Sequence, residues 1–244
     1  MKNYSYVGIS LVILIFGIIF IPKIMDRISD DKVVSSNRLN QKREKEFKDD
    51  GVPLTYIEID GEKKKAPQFE FVNQDGDTIS NKDYAGKVYL VEFFFTTCPT
   101  ICPIMNKNLV EIQDEFDDNS DFGIASFTID PTHDTPQVLA EYADSYGIDH
   151  PNWHLMTGDR EKIYELANKG FGLYAGEDAQ AAGGFAHQGM FALVDQEGYI
   201  RSRKDQFGNP VIYYRGSVER KKSVAQGEEA PQIDILIEDI KKLL

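Results

Sequence analysis

The chain has 244 residues, with 27 basic and 40 acidic side chains and a formal net charge of −13. That balance argues against nucleic acid or an anionic membrane surface as a partner, since both repel an acidic protein. Two cysteines in the whole chain exclude a disulfide scaffold.

The chain begins with a short basic tail, residues 1–5, followed by an almost unbroken apolar run. Residues 6–22 are expected to form a transmembrane signal-anchor. The run is short against the roughly 20 residues that usually span a bilayer, so a cleaved signal peptide is the rival reading. Ile19 to Lys23 offers no small-x-small cleavage site, which favours retention. Lys2 and the amino terminus favour an inside N-terminus. The body would then lie outside the cytoplasm, on the periplasmic side in a bacterium, where thiol oxidation is possible. Residues 23–50 are highly charged and poor in large apolar side chains, and read as a polar, partly helical stalk. Residues 51–244 remain for one domain with a proper core.

Within that domain Leu54–Asp60 and Gln68–Asn73 read as short strands, with turns at Asp60-Gly61 and Asp75-Gly76. Lys87–Phe95 is an apolar run suited to a buried central strand. Met105, Leu109, Ile112 and Phe116 fall on one face at helical spacing, which predicts a helix over 105–116. Phe122–Ile129 is the next buried strand. Asp134-Thr135-Pro136 is a helix start, with a polar cap and proline at the first helical position. That helix carries Val138, Leu139, Tyr142 and Tyr146 and stops near Gly147. A short strand at Trp153–Met156 and a helix over 159–169 follow. Met190–Asp195 and Tyr199–Ser202 form a hairpin about Gln196-Glu197-Gly198, and Pro231–Leu244 is a closing amphipathic helix. The expected class is α/β, a mixed central sheet flanked by helices.

The chemistry concentrates in Val91–Pro103, which holds both cysteines, Cys98 and Cys102, in a C-x3-C spacing. A buried strand, a cysteine loop and a helix start place two thiols at a helix N-terminus. There the macrodipole and free N–H groups favour the thiolate, the form that attacks disulfides and binds soft metals. In an ideal helix such a pair shares one face, about 6 Å apart at Cα. It could share a metal or close a disulfide. Thiolates favour Cu(I), and imidazole with thiolate can also hold Cu(II). Zinc is the rival, but a structural zinc site normally needs four ligands. A plain structural disulfide is the bland alternative. Pro103 is expected to bend the helix start or to occupy its first position.

Three stretches resemble the Sco/SenC family, membrane-anchored copper proteins of cytochrome c oxidase assembly with a thioredoxin-like fold. Phe94-Phe95-Thr96-Thr97-Cys98-Pro99-Thr100-Ile101-Cys102-Pro103 is similar to that family's F-x-T/S-x-C-P-x-x-C-P. Thr128-Ile129-Asp130-Pro131-Thr132-His133-Asp134-Thr135-Pro136 matches its D-P-x-x-D-T-P stretch. His187-Gln188-Gly189-Met190-Phe191-Ala192-Leu193-Val194-Asp195 matches a histidine leading into a strand and hairpin, and Trp153–Gly158 is also similar to a family segment. The likeness covers roughly residues 66–205, with the anchor and final helix. Two departures stand out: Phe207–Gly227 is longer and more polar, and Asp178–Phe185 is rich in Gly and Ala.

The resemblance implies a copper site of Cys98, Cys102 and His187, able to alternate with a Cys98–Cys102 disulfide. It also implies a metallochaperone role toward the copper-bearing subunit of cytochrome c oxidase. Without it, a histidine before a strand would read as structural or solvated. The Gly183-Gly184 pair suggests a mobile loop that brings His187 in when metal binds. His133, beside a helix cap, reads as solvated, and His150 and His154, flanking a Pro-Asn-Trp turn, read as structural. Asp130 ends a buried strand near the site; it could tune thiol reactivity, contact a partner or cap the following turn. The alternative function is a thiol–disulfide oxidoreductase using Cys98 and Cys102 catalytically on the apo-oxidase. C-x-x-C is usual for such enzymes, and the extra residue disfavours a general one. A redox or copper sensor is a further reading. Peroxiredoxin is disfavoured, because Phe95 and Pro99 stand where its threonine would precede either cysteine.

Overall fold

The computed structural model describes residues 53–205, 207–223 and 230–244; the expected anchor and stalk lie outside them. Among the described residues no helix is long and apolar enough to cross a membrane.

The centre is built by two seven-residue strands, β6 (Val88–Phe94) and β7 (Phe122–Thr128), in which every residue is buried. A strand with both faces buried must be covered on both sides, as parallel sheets are. β6 and β7 pair in parallel from Val88↔Phe122 to Phe94↔Thr128, and β8 (Trp153–Thr157) continues the parallel set. Antiparallel strands complete each side. β4 (Glu70–Asn73) and β5 (Thr78–Ser80) extend the sheet beyond β8. β11 (Met190–Val194), β12 (Ile200–Ser202) and β1 (Thr55–Tyr56) extend it beyond β6. The sheet is mixed, as expected.

Alternation sorts the strand residues between two layers. On one face Phe93 stacks on Phe127, with centroids 5.5 Å apart, and Phe69, Phe71 and Phe171 close around them. On the other face Phe94 meets Tyr142 of α2 (Pro136–Tyr146). α1 (Cys102–Glu115) packs on α2 and on α4 (Ile233–Leu243). α2 starts as its sequence dictates: Thr135 caps it by accepting the Val138 N–H, Pro136 opens it, and Gly147 ends it at φ 71°. α4 is tied to the sheet by the buried Arg203–Asp239 pair, with two contacts of 2.7 Å. The Tyr214 hydroxyl also donates to Asp239 at 2.7 Å.

Some elements depart from expectation. Leu54–Asp60 is not one strand. β1 joins the main sheet, while β2 (Glu58–Ile59) folds back on β3 (Glu62–Lys63) around Asp60 and Gly61, at φ 53° and 82°. α1 starts at Cys102, three residues before its first apolar ridge residue, because Pro103 is tolerated in a first turn whose N–H groups have no intrahelical acceptor. The 159–169 helix is capped by Asp159, but it is α-helical only over α3 (Arg160–Glu165). It then widens into a π-helical segment, Leu166–Phe171. The hairpin of β9 (Ala175–Glu177) with β10 (Phe185–His187), and β13 (Tyr214–Arg215) against β11, were not expected at all.

Candidate metal centre

β6 ends at Phe94, and the chain turns at once, the Cys98 N–H donating to Phe95 O at 3.2 Å. The base of this turn is held by Asp134, which is fully buried. Its carboxylate accepts the Thr96 N–H at 3.1 Å and the hydroxyls of Thr96 and Thr128, and meets His133 Nδ1 at 2.9 Å. Buried carboxylates need such partners. Asp134, rather than Asp130, is therefore the acid that shapes this end of the sheet. Asp130 uses its backbone carbonyl to accept the His133 and Asp134 N–H groups in the following turn.

Cys98 sits in the loop before α1, and Cys102 is that helix's first residue. The two thiols therefore flank a helix start instead of sharing one helical face. Both are free and buried, and Cys98 is the one nearer solvent, at 7% exposure against zero for Cys102. Asn106 braces the first turn from inside, donating to Cys102 O at 3.0 Å and to the Tyr142 hydroxyl at 2.7 Å.

His187 arrives on β10 from 85 residues away, its Nε2 3.2 Å from Cys102 Sγ. The imidazole stands edge-on to Phe95, with centroids 5.8 Å apart, and Phe185 also packs on Phe95. The hairpin tip presses on the cysteine turn at Gly183. A Cβ there would lie 2.8 Å from Phe95 Cε2 and 3.2 Å from Pro99 Cδ, and the φ of 84° already demands glycine. The tip is pinned by Asp178 N–H to Gly184 O and Gly184 N–H to Ala181 O, at 2.9 and 3.0 Å. His187 stands directly beside Cys102. One ligand atom from each of Cys98, Cys102 and His187 lies within 4.8 Å of the others, so the three are positioned to bind a metal ion.

The two thiols divide one proton unequally. The hydrogen bond from Cys102 pulls the Cys98 thiol well below the usual range, helped by His187 and opposed by burial. The Cys98 bond, burial and the charge on Cys98 push Cys102 up. The arrangement favours the thiolate at Cys98 and the thiol at Cys102, and a bound cation would favour loss of the second proton.

Sequence reasoning passed over Glu92, an acid inside the apolar run of β6. It is 1% exposed. Its Oε1 accepts the Ser126 hydroxyl at 2.7 Å, and Trp153 Nε1 donates to that same hydroxyl at 3.0 Å. Oε2 has no protein partner. Burial pushes this carboxyl up to about 7, against the Ser126 hydrogen bond, and its charge contributes to raising Cys102. A lone acid in a fully buried strand was the available signal.

The other histidines lie apart from this cluster. His133 is half exposed and paired with Asp134, which raises its pKa. His150 is buried on Phe122, its Nδ1 accepting the Asn152 N–H at 3.1 Å. His154 Nδ1 meets Asn73 Nδ2 at 3.3 Å, and burial lowers its pKa.

Known proteins are similar to this chain in sequence and fold. Residues 58–215 match the SCO1/SenC family model. A SCO1 protein homolog of Bacillus subtilis is 36% identical over 138 residues, 54% of this chain and 69% of that protein. The crystal structure of a SCO1/SenC family lipoprotein from Bacillus anthracis is 28% identical, with a TM-score of 0.60, over 73% of this chain and 94% of that one. BsSco, a member of the Sco family of cytochrome c oxidase assembly proteins in which a disulfide switch was identified, is 30% identical. Its TM-score is 0.58, over 74% of this chain and 93% of its own. With its Sco-type thioredoxin-like fold and the match over most of its domain, the chain belongs to the SCO1/SenC family.

Proposed function

We propose that this chain is a membrane-anchored copper metallochaperone for assembly of the binuclear copper centre of cytochrome c oxidase. It works outside the cytoplasm, with Cys98, Cys102 and His187 as copper ligands. The observation that carries the reading is the convergence of two thiols and one imidazole within 4.8 Å. The donor set suits copper as cargo. Two thiolates hold Cu(I), and the imidazole adds the harder donor that Cu(II) needs. Three ligands leave a coordination position open to an incoming thiol or imidazole, so copper passes to the oxidase subunit one ligand at a time. The resemblance in family and the assembly role of BsSco support the partner.

The split acidity of the pair favours a second reading, reduction of the oxidase subunit's cysteines. There the Cys98 thiolate attacks a partner disulfide, displacing one partner thiol. Cys102 then resolves the mixed disulfide, leaving a Cys98–Cys102 disulfide and two reduced partner cysteines.

One experiment separates the two. Copper-loaded protein is mixed with the reduced, copper-free oxidase domain, and metal-free dithiol protein with the oxidised domain. Copper transfer in the first mixture, with an intact partner disulfide in the second, is the expected result. Reduction of the partner without copper transfer would replace the metallochaperone with the oxidoreductase.

A further inference from the structure

Residues 213–220 cross between the helix that carries Cys102 and the turn that follows His187. From α1, Asn108 reaches this segment with its whole carboxamide. It is 1% exposed. Its Nδ2 donates to Gly216 O and Val218 O, each at 2.8 Å, and its Oδ1 accepts the Arg220 N–H at 3.1 Å. On the other side the Gly216 and Ser217 N–H groups donate to Gly189 O at 2.8 and 3.2 Å. β13 adds the pairs Met190↔Arg215 and Phe191↔Tyr214.

The fit is tight. A Cβ at Gly216 would lie 2.4 Å from Phe191 Cζ. One at Gly189 would lie 2.5 Å from Ser217 Cβ and 3.2 Å from Ile101 Cδ1. Arg220 fastens the far end, meeting Asp234 at 2.7 Å, Glu115 at 3.3 Å and Glu111 at 3.6 Å. Ile101 immediately precedes Cys102, and Gly189 follows His187 by two residues. Ile101 therefore faces Gly189 directly, and the segment ties Gly189 to Asn108 on the helix that Cys102 opens.

We infer that residues 213–220 are a brace that fixes the His187 imidazole against Cys102, with Asn108 as the positioning residue that holds the brace. The inference rests on reading Cys98, Cys102 and His187 as the copper ligands. Its physical basis is that β10 is only three residues long and follows a Gly/Ala-rich loop, so its own ladder gives His187 little anchorage. A ligand held in place before metal arrives loses less entropy on binding. That matters most for Cu(II), because two thiolates alone can hold Cu(I).

The test compares Asn108→Ala with Gln113→Ala in the full-length chain. Gln113 is the matched control. It is buried on the same helix and clamps a different loop, donating to Gly147 O at 3.0 Å and accepting the Asp149 and His150 N–H groups at 3.1 Å. Outer-shell losses weaken metal binding by roughly 10–100-fold. That loss is expected in the Cu(II) affinity of Asn108→Ala, with a smaller change for Cu(I), an altered Cu(II) spectrum and neither effect in Gln113→Ala. Equal effects of the two substitutions on Cu(II) would overturn the inference. A second arm needs no metal: the His187 ring signals by NMR. They should be single and sharp in wild type and Gln113→Ala, and broadened or multiple in Asn108→Ala. Unchanged ring signals overturn the brace whatever copper does. A wild-type Cu(II) spectrum indifferent to His187→Ala would instead overturn the copper-site reading. Should Asn108→Ala fail to fold, Asn108→Asp keeps the size and the acceptor, loses both donated bonds, and is read in the same two arms.

Discussion

Replacing Glu92 by Gln removes the titration of a carboxyl while keeping its shape and its acceptor for the Ser126 hydroxyl. Burial raises this group from 4.5 to about 7 in the folded chain, and it is 1% exposed, so solvent screening is slight. A raised acid binds its proton more tightly in the native state than in the unfolded one. Its contribution to stability is therefore full below the unfolded value and falls as pH rises toward about 7, remaining low above it. At about 1.4 kcal/mol per unit, the rise corresponds to roughly 3 kcal/mol. Glu92→Gln should therefore match wild type near pH 4.5 and exceed it by roughly 3 kcal/mol near pH 8. The assay is urea unfolding of reduced, metal-free protein across that range, read as the difference between the two proteins, so that other carboxylates such as Glu115, which Arg220 holds low, cancel. A gap that stays constant with pH would refute the reasoning, because it would mean that Glu92 titrates alike folded and unfolded.

The same geometry makes other outcomes measurable. His187→Ala should weaken Cu(II) by at least about tenfold, or about 1.4 kcal/mol, and Cu(I) less; equal loss for both oxidation states in a competition titration would contradict the ligand assignment. In metal-free protein Cys98 should alkylate before Cys102, at a rate nearly unchanged between pH 6 and 8, since its thiolate persists well below the usual thiol range; peptide mapping after brief iodoacetamide treatment reads the order. Gly183→Ala should destabilise by about 1–3 kcal/mol and more than Gly184→Ala, because only Gly183 faces Phe95 and Pro99 within 4 Å. Equal urea midpoints for the two variants would remove the hairpin tip from the cysteine turn.

Local signals carried much of the fold. The α2 boundaries were legible because cap, proline and terminal glycine each act within a few residues. The buried pair β6 and β7 was legible because covered strands read as apolar runs. The cysteine pair was legible for a similar reason, a reactive spacing between a strand and a helix. His187 was a different matter. Nothing within 85 residues ties it to Cys102, so only the family resemblance placed it. Its hairpin was invisible because three-residue strands around Asp178–Gly184 show no alternation. Glu92 lay hidden inside an apolar count, and Asp134 was read only as part of a helix start, because its partner Thr96 lies 38 residues away. The 213–220 segment is polar in sequence yet buried in part, because its backbone groups are satisfied by Asn108 and Gly189, partners that no local pattern announces.

The central claim is that Cys98, Cys102 and His187 hold copper together. X-ray absorption on the reduced wild-type chain loaded with one equivalent of Cu(II) tests it most directly, with His187→Ala and Cys102→Ser as references. Two sulfur scatterers and an imidazole shell are expected in wild type, with loss of that imidazole shell in His187→Ala and loss of one sulfur in Cys102→Ser. A copper environment of nitrogen and oxygen alone, unchanged by either substitution, would contradict it.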